Sequence, residues 1–542
     1  MTDTLRIALI QPPIEDFYIS NERTYPLGLS YLAGAVADLP VSVEILDFLS
    51  GAQRTTIAAP KVFTPALPHF RPDRSPIKIF QQYYHFGKSW PEIETHFQNN
   101  QYELIAVSSN FYTYADEALQ TVRLARKHIP NALIILGGQN SLSALPELQD
   151  EAVLDAIILG EGELPFRQLV QNLLKRYKTK TEKASWKRNK PQLFENIPNL
   201  FHKSQGKRKE TKEIFPKEMA PFQPVTTGLN PDHYHIAGKG SRMLNTTRGC
   251  PMGCSFCTIP KFWGKKMRFR PIFEILKELE AASADGVEVI DIEDDNFTLN
   301  RKFAMTLLSA IDEKFGRKFN FYAMNGLMAE TLDDKILEKM AVTGFKMVNI
   351  SLATLRKESL KAMHRPEQTE AFRRVSKKAR TLGMKVVGYF IAGLPNESVD
   401  DVLETMTFLA ELPLILGISP FYYIPGIEVK GLENLPQNKK EARLTRFFPA
   451  SSHWDELTLI TLFRLSRWIN YLKAKISAAG LKQIAFSKAD LQFADDAFIT
   501  ALIREQSILG IDEKRNFYKH DVNYSVIANF LKAMREKNVG GG

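Results

Sequence analysis

Short apolar segments alternate with amphipathic helical patterns along most of this chain, and no other sequence feature constrains the fold as strongly. In the first part of the chain the apolar segments are 5–10, 41–46, 104–107, 133–136 and 156–159. Short apolar strands that alternate with helices are typical of a parallel sheet covered on both faces. Residues 1–174 are therefore predicted to form a doubly wound, Rossmann-like α/β domain.

The alternation resumes in the second half of the chain. Strands are predicted at 287–292, 319–324, 347–352, 385–391 and 418–423, with helices between them. A series of β/α units that stops short of eight predicts a partial (β/α)6 barrel of the TIM type over residues 241–435, with its chemistry at the carboxyl ends of the strands. Residues 436–542 carry amphipathic helical patterns and are predicted to form a helical region that caps the open barrel.

The chain of 542 residues has a formal net charge of +10, and the excess lies in one segment. Residues 175–217 contain 14 Lys and Arg against four Glu, so the remainder of the chain is neutral. A duplex-binding protein places its cations on a structured face, whereas this stretch has the composition of a connector. We interpret residues 175–240 as a basic linker, with a docking surface for an acidic partner or a membrane as the alternative. No nucleic-acid partner is expected.

The N-terminus lacks the basic, apolar and small-residue pattern of a signal peptide. No apolar run reaches the roughly 18 residues that a membrane-spanning helix needs. The chain has three cysteines, too few for a disulfide framework. Together these features predict a cytoplasmic protein without a transmembrane segment.

All three cysteines, Cys250, Cys254 and Cys257, lie within eight residues at the spacing C-x3-C-x2-C. Thiolates this close repel one another unless a metal centre neutralises them, and as soft ligands they favour iron–sulfur or zinc. A structural zinc ion needs a fourth protein ligand, for which a distant histidine such as His233 or His364 would have to serve. A [4Fe–4S] cluster held by three cysteines keeps one iron open for a small molecule, and we favour this interpretation.

Small residues follow the strands of the predicted N-terminal sheet, at the edge where doubly wound sheets bind ligands. Gly137 and Gly138 follow the fourth apolar segment and would let a ligand approach the backbone, because no Cβ intervenes. Each of these positions is also compatible with a tight turn that binds nothing.

The cysteine loop, with Phe256 before its last cysteine, resembles the cluster loop of radical S-adenosylmethionine (SAM) enzymes. Residues 263–271 are similar to the family segment that follows the loop, and residues 294–298 are similar to the segment that ends the second barrel strand. Residues 388–397 are similar to the family segment that lies near the adenine. The resemblance implies that the open iron binds the amino and carboxylate groups of SAM, and that an electron cleaves the sulfonium to a 5′-deoxyadenosyl radical. The SAM-binding residues that it implies are Phe256, Asp294, Asp295, Asn296, Thr354, Gly393 and Pro395.

The N-terminal part resembles the cobalamin-binding (B12-binding) domain that precedes the radical domain in one large branch of this family, the class B methyltransferases among them. The resemblance is carried by Pro26-Leu27-Gly28, by Gly-Gly at 137–138 and by Gly-Glu-Gly-Glu at 160–163. It implies cobalamin as a cofactor. The residues that it implies for binding are Pro26, Leu27, Gly28, Ser108, Ser109, Asn110, Gly137, Gly138, Gln139, Gly160, Glu161 and Glu163.

Two family motifs are absent from the sequence. Ser351-Leu352-Ala353-Thr354 stands where the family has Gly-x-Glu-Ser, so a carboxylate expected near the nucleoside is missing, and the Thr354 hydroxyl or water would replace it. No Asp-x-His-x-x-Gly motif supplies a lower histidine ligand for cobalt. One cluster uses all three cysteines, which disfavours auxiliary clusters, methylthio transfer, methylation through a cysteine and sulfur insertion.

These features predict an enzyme that generates an adenosyl radical and methylates an unactivated carbon, with cobalamin as the methyl carrier. The alternative is a radical rearrangement, cyclisation or oxidation without methyl transfer, and a third hypothesis is an iron–sulfur sensor without catalysis. The sequence leaves the substrate open among small molecules, lipids and peptides. The family resemblance also implies an external electron donor such as flavodoxin or ferredoxin.

Overall fold

The computed structural model describes residues 4–18, 22–51, 53–176, 190–204, 207–211, 215–481, 484, 489 and 492–539. In chain order the strands are β1 (Leu5–Gln11), β2 (Ile14–Asp16), β3 (Val41–Asp47), β4 (Arg54–Ile57), β5 (Tyr83–Phe86), β6 (Leu104–Ser108), β7 (Leu133–Gly137), β8 (Ala156–Ile158), β9 (Leu200–Ser204), β10 (Lys207–Glu210), β11 (His235–Ile236), β12 (Lys239–Leu244), β13 (Thr247–Arg248), β14 (Arg268–Phe269), β15 (Val289–Ile292), β16 (Asn320–Tyr322), β17 (Met347–Ala353), β18 (Lys385–Ala392), β19 (Ile415–Pro420), β20 (Leu509–Ile511) and β21 (Phe517–Lys519). The α-helices are α1 (Leu27–Ala35), α2 (Trp90–Asn99), α3 (Ala115–His128), α4 (Asn140–Ser143), α5 (Leu145–Leu148), α6 (Glu163–Arg176), α7 (Lys190–Leu193), α8 (Ile259–Phe262), α9 (Ile272–Ala284), α10 (Arg301–Phe315), α11 (Asp334–Thr343), α12 (Lys357–Ala362), α13 (Thr369–Thr381), α14 (Val399–Glu411), α15 (Glu456–Ala478), α16 (Ala497–Glu505) and α17 (Tyr524–Val539).

The N-terminal part forms a seven-stranded sheet in the order β10-β9-β8-β7-β6-β1-β3. Strands β3, β1, β6, β7 and β8 run parallel, and Ile7 in the centre lies opposite both Val43 and Leu104. Helices α2 and α3 pack on one face and α1 and α6 on the other, so each face has its own apolar core. The predicted doubly wound fold is confirmed, and the carboxyl ends of its parallel strands lie at one edge.

Two strands lie inside the segment that we interpreted as a linker. β9 runs antiparallel to β8, and β10 pairs with β9 at the outer edge of the sheet. The linker interpretation is wrong for these residues. Strand β10, with the sequence KRKE, could not be predicted, because a charged edge strand has no apolar alternation that would indicate it. Residues 177–189, 205–206 and 212–214, which carry much of the basic excess, lie outside the described residues.

The second half of the chain forms an open barrel from two sheets. β12, β15 and β16 run parallel in one, and β17, β18 and β19 run parallel in the other. The parallel bridges Phe321–Phe345 and Leu327–Ile350 connect the two sheets, and helices α9, α10, α11, α13 and α14 cover the outside. The predicted partial barrel is confirmed. Strand β19 begins before the predicted 418–423, because the apolar residues on both sides of Gly417 do not show where the strand starts.

Helix α15 closes the open edge of the barrel at β19. The Asn470 side chain accepts from the Leu416 N–H at 2.8 Å and donates to the Leu416 carbonyl at 2.9 Å, so a side chain satisfies the edge strand. The capping helix that the sequence predicts is therefore present, although the hairpin of β20 and β21 has no counterpart among the predicted elements. The buried apolar residues of this helix and of the turn before it include Trp454, Leu459, Ile460, Leu462, Phe463 and Trp468.

Helix α15 has 23 residues, but it carries charged side chains, including the buried Arg464. Within the described part of the chain, no helix combines the length and the apolar character needed to cross a membrane.

Candidate functional site

The three cysteines lie on the loop that follows the first strand of the barrel. The short strands β13 and β14 pair antiparallel at the base of this loop, which begins at Gly249. Gly249 has φ 91°, and a Cβ there would overlap the Lys266 carbonyl, so the turn requires glycine. Cys250, Cys254 and Cys257 are each partly exposed at the carboxyl-end side of the barrel.

The thiols lie close enough to affect one another's ionisation. Burial raises the pKa of Cys257 to about 12, and Cys254, Asp295 and Cys250 contribute to the rise. Burial also raises the pKa of Cys250. Metal binding to these thiols would therefore release protons.

The donor set of the loop fits a cluster better than a single ion. In the described residues, no three His, Cys, Asp or Glu side chains converge as ligands of one metal ion would. In a four-iron cluster each thiolate binds a different iron, so three separated sulfurs are the arrangement it needs. Of the two histidines considered as zinc ligands, His233 contacts Ser50, whereas His364 reaches the loop only through the Gly253 carbonyl, 3.4 Å from Nδ1.

Asp294 at the end of β15 holds the chain that leads into the cluster loop. Its Oδ1 accepts from the backbone N–H of Thr246 at 2.6 Å and of Thr247 at 3.0 Å, and its Oδ2 accepts from both threonine hydroxyls. Burial raises the pKa of Asp294 to about 6, although these donors lower it. The structure thus gives a carboxylate predicted to bind SAM a positioning role in the loop.

Asp295 and Asn296 also lie next to the loop. Among the described residues their side-chain oxygens accept fewer hydrogen bonds than those of Asp294, so they have more capacity to accept one from a ligand. Asp295 Oδ2 accepts from the Gly249 N–H at 3.0 Å, and burial raises the pKa of Asp295 to about 7. The Oδ1 atom of Asn296 is buried and has no donor among the described residues. Contact with SAM remains a prediction for both side chains.

Arg365 is a residue of this site that sequence reasoning missed. Its Nη1 lies 3.9 Å from the Sγ of Cys254, and its Nη2 donates to the Ser351 carbonyl at 2.5 Å. Its Nε is buried without an acceptor among the described atoms. No motif signals Arg365, because its approach to Cys254 depends on how the segment after β17 folds against the cluster loop.

Replacing Arg365 with methionine is expected to make the cluster harder to reduce. A positive charge beside a cluster thiolate stabilises the more negative reduced state, so its loss should shift the midpoint potential on the order of tens of millivolts in the negative direction. Redox titration followed by electron paramagnetic resonance (EPR) measures the shift. Arg380→Met, which removes an exposed arginine on α13, is the control; equal potentials in the two variants would contradict the prediction.

The Gly-Leu-Pro segment after β18 lies between the cluster loop and α15. Gly393 has φ 88°, and a Cβ there would come within 2.9 Å of the Leu459 side chain. The neighbouring Leu394 packs in the same small apolar core as Phe256 of the cluster loop. The Pro395 carbonyl accepts from the Ser451 hydroxyl at 3.0 Å. The structure therefore brings these predicted residues together.

Glu397 places a carboxylate beside residues 351–354, where the family's usual carboxylate is missing. Its side chain is buried next to Thr354 and Ser359. Burial raises the pKa of Glu397, and the neighbouring Thr354 and Ser359 hydroxyls lower it by less. Sequence reasoning included Glu397 only as the end of a motif, because nothing in the spacing indicates this contact.

The carboxyl ends of β6 and β7 face the cluster loop. Gln139 Nε2 donates to the Thr258 hydroxyl at 3.4 Å, one residue beyond Cys257. Gly138 has φ 107°, and a Cβ there would overlap the Ser109 carbonyl, so the turn itself explains this glycine. The predicted ligand-binding edge of the first domain is thus adjacent to the cluster loop.

Other residues predicted for this edge differ in what surrounds them. Leu27 packs in a small apolar cluster with Tyr234 and Met243 at the barrel entrance. A Cβ at Gly28 would have no atom within 4 Å. Phe111, which follows the predicted Ser108, Ser109 and Asn110, is 63% exposed. Pro26 precedes α1 as its N-cap, and Gly137 lies opposite Ser108 in the β6–β7 register.

Glu161 and Glu163, both predicted to bind cobalamin, pair instead with arginines of the barrel domain. Glu161 contacts Arg248 and Arg268, and Glu163 contacts Arg248. The adjacent Gly160 turns with φ 83° toward Phe262 of α8. The carboxylates of the Gly-Glu-Gly-Glu motif are therefore engaged between the two domains.

A polar group lies at the carboxyl ends of β15 and β16. Arg23 from the first domain donates to Asp291 at 2.8 Å, to Glu293 at 2.7 Å and to Asn325 at 2.9 Å. Burial raises the pKa of Asp291 to about 7 even though Arg23 lowers it. Burial raises the pKa of the nearby Tyr389, with Arg23 opposing the rise and Asp291 adding to it.

Residues 244–409 match the family model of the radical SAM superfamily. This part of the chain, the barrel with the three-cysteine loop, is therefore a radical SAM domain, the kind of domain that uses a [4Fe–4S] cluster and SAM. Over 458 residues the chain is 26% identical to cytidylyl-2-hydroxyethylphosphonate methyltransferase of Streptomyces wedmorensis, covering 79% of this chain and 81% of that protein.

Two solved structures share the fold of more than three quarters of the chain. The radical SAM methyltransferase TsrM from Kitasatospora setae, solved with cobalamin and a [4Fe–4S] cluster bound, matches with a TM-score of 0.57 and 17% identity over 79% of this chain and 74% of TsrM. The cobalamin-dependent SAM radical enzyme OxsB, solved with aqua-cobalamin, matches with a TM-score of 0.55 and 17% identity over 77% of this chain and 54% of OxsB. Within its superfamily, the chain therefore has the fold of these two cobalamin-associated enzymes.

Proposed function

We propose that this enzyme is a cobalamin-dependent radical SAM methyltransferase that methylates an unactivated carbon of a small molecule, lipid or peptide. The observation that carries the proposal is the contact of Gln139 with Thr258, which puts the carboxyl-end edge of the first sheet beside the cluster loop. Methyl transfer between a carrier on that edge and a substrate in the barrel needs this proximity. The methyltransferase names of the relatives support the same reading.

The first domain fits a large planar cofactor at this edge. Gly28 leaves open space, and the exposed ring of Phe111 offers an apolar surface that a cofactor would cover. Ser108 and Gln139 add polar groups at the same edge. No histidine motif supplies a lower cobalt ligand, so this proposal assigns none.

The cluster and SAM would be held by residues from four segments of the barrel. The cysteines of the loop would bind the cluster, and Asp295, Asn296 and Arg365 offer polar groups to the amino acid part of SAM. Thr354 and Glu397 lie where the family places its nucleoside contact. When bound, these groups supply reductive cleavage of the SAM sulfonium, and cobalamin supplies methyl carriage.

The overall reaction balances with two molecules of SAM and two electrons from a donor such as flavodoxin or ferredoxin. One SAM yields methionine and 5′-deoxyadenosine, which takes the hydrogen of the substrate C–H bond. The other SAM yields S-adenosylhomocysteine and gives its methyl group to the substrate carbon. The chain's own task is to hold these groups in line and to exclude water and competing hydrogen donors.

We expect anaerobically reconstituted enzyme to retain about one cobalamin per chain and, with methyl-labelled SAM and reductant, to form S-adenosylhomocysteine as well as 5′-deoxyadenosine. Cobalt analysis, the optical spectrum and chromatography of the products measure these quantities. In a substrate screen, the proposal requires label in the product. The control is Gly28→Phe, which fills the open space at the cobalamin edge and should lower cobalt retention while the iron content stays unchanged.

Three results would contradict the proposal, each in a different way. Formation of 5′-deoxyadenosine with an unlabelled, rearranged or oxidised product would assign the enzyme to radical chemistry without methyl transfer. Protein that retains iron but forms no 5′-deoxyadenosine would favour the sensor hypothesis. Cobalt retention below stoichiometry in both the native chain and Gly28→Phe would remove cobalamin from the reaction.

A further inference from the structure

A buried group of four charged side chains joins the Gly-Glu-Gly-Glu loop to the base of the cluster loop. Arg248 Nη1 lies 3.0 Å from Glu161 Oε2, and its Nη2 lies 2.6 Å from Glu163 Oε1. Arg268 pairs with the other oxygen of Glu161. The four side chains are between 2% and 7% exposed, so water does not screen these pairs.

The guanidinium of Arg248 is confined on its faces as well as at its edges. Its carbon lies 4.6 Å from the ring centre of Trp263 and 5.2 Å from that of Tyr31. Its Nε donates to Asn245 Oδ1 at 2.9 Å. A planar group held by two carboxylates, an amide and two rings has one orientation, which a lysine side chain could not reproduce.

Both arginines belong to the segment that begins the cluster loop. Arg248 is the last residue of β13 and is followed by Gly249 and Cys250, while Arg268 lies opposite Arg248 in β14. The left-handed turn at Gly249, next to Arg248, lies so close to the Lys266 carbonyl that a Cβ would overlap it. The position of Arg248 therefore determines where the loop starts.

We propose that Glu161 and Glu163 are positioning residues that fix Arg248 and Arg268, and thereby set the cluster loop against the ligand-binding edge of the first sheet. Neither carboxylate is then a ligand of cobalamin. The proposal depends on the radical SAM domain and not on methyl transfer, so its test is independent of the test of the proposed function. It also explains why acidic side chains occur at an edge that otherwise carries small residues.

The test uses full-length Glu163→Gln, purified and reconstituted anaerobically. Glutamine keeps the size of the side chain but removes the charge that Arg248 faces, so the start of the loop should lose its single orientation. We expect iron to bind, the EPR signal of the reduced cluster to broaden, and the Kd for SAM to rise about tenfold, which corresponds to about 1.4 kcal/mol. SAM affinity is measured from the change in the EPR signal on titration.

The matched control is Glu117→Gln, because Glu117 is also buried and pairs with a cation outside the first domain, Lys440 of the C-terminal region at 2.6 Å, but it contacts no part of the cluster loop. A merely structural role would lower the melting temperature of both variants and leave their EPR signals and SAM affinities unchanged. That result would overturn the proposal.

A second variant keeps the test decisive if Glu163→Gln does not fold. Arg248→Lys retains the charge but loses the planar fork that contacts both carboxylates, so it should reproduce the broadened signal and the weaker SAM binding. A native EPR signal and native SAM affinity in Arg248→Lys would also overturn the proposal. Cobalamin retention is recorded for each variant: loss of cobalt with native cluster properties would return both glutamates to a cofactor-binding role.

Discussion

Replacement of Cys257 by alanine should eliminate cluster binding and with it the formation of 5′-deoxyadenosine. The chain has three cysteines, all on the cluster loop, so no other thiol can take the place of the one removed. Two thiolates leave two irons of the cube without protein ligands, and such a cluster is not retained. We expect iron to fall from about four atoms per chain to near zero, measured by metal analysis and by the loss of the optical band of the cluster.

Ser255→Ala is the matched control for this experiment. Ser255 lies between the cysteines in the same loop, where its backbone bonds Met363 and Glu428, so its side chain can be removed without a change in the donor set. Iron content and 5′-deoxyadenosine formation should remain at native levels. Retention of four irons in Cys257→Ala, or a stoichiometric zinc ion in the native chain, would contradict the cluster assignment.

The architecture could be predicted from the sequence wherever strands are buried on both faces. β6 (LIAVS) and β7 (LIILG) are apolar at nearly every position, and the helices between them have one apolar face. β10 (KRKE) gives no such signal, because an edge strand does not have to bury side chains. The displaced start of β19 (ILGISP) has a related cause, since apolar residues on both sides of Gly417 do not show where the strand begins.

The cysteine ligands could be predicted because their chemistry is local. C-x3-C-x2-C brings three thiols together whatever the surrounding fold, whereas Arg365 and Glu397 reach the site only through tertiary packing. Glu161 and Glu163 illustrate the same limit from the other side. Their position at the end of a strand was predicted correctly, but the sequence contains no information on which group faces them, and the barrel domain supplies two arginines.

Replacement of Asp294 by alanine should destabilise the radical SAM domain by about 4 kcal/mol, because the backbone N–H and the hydroxyl of both Thr246 and Thr247 lose their acceptor and each orphaned donor costs about 1 kcal/mol or more. Both donors of Thr246 and both of Thr247 point at this one carboxylate. For a domain of this size the loss corresponds to a fall of about 10 °C in the melting temperature. Differential scanning calorimetry of the protein before reconstitution measures it.

The neighbouring Asp295→Ala variant separates loop positioning from SAM binding. Asp295 accepts one hydrogen bond, from the Gly249 N–H, so its loss should cost about 1 kcal/mol of stability. If Asp294 acts through the loop, Asp294→Ala lowers the melting temperature and the cluster occupancy together, and Asp295→Ala weakens SAM binding at nearly native stability. Equal melting temperatures in the two variants, with SAM binding lost only in Asp294→Ala, would instead identify Asp294 as a direct SAM ligand and refute the positioning role.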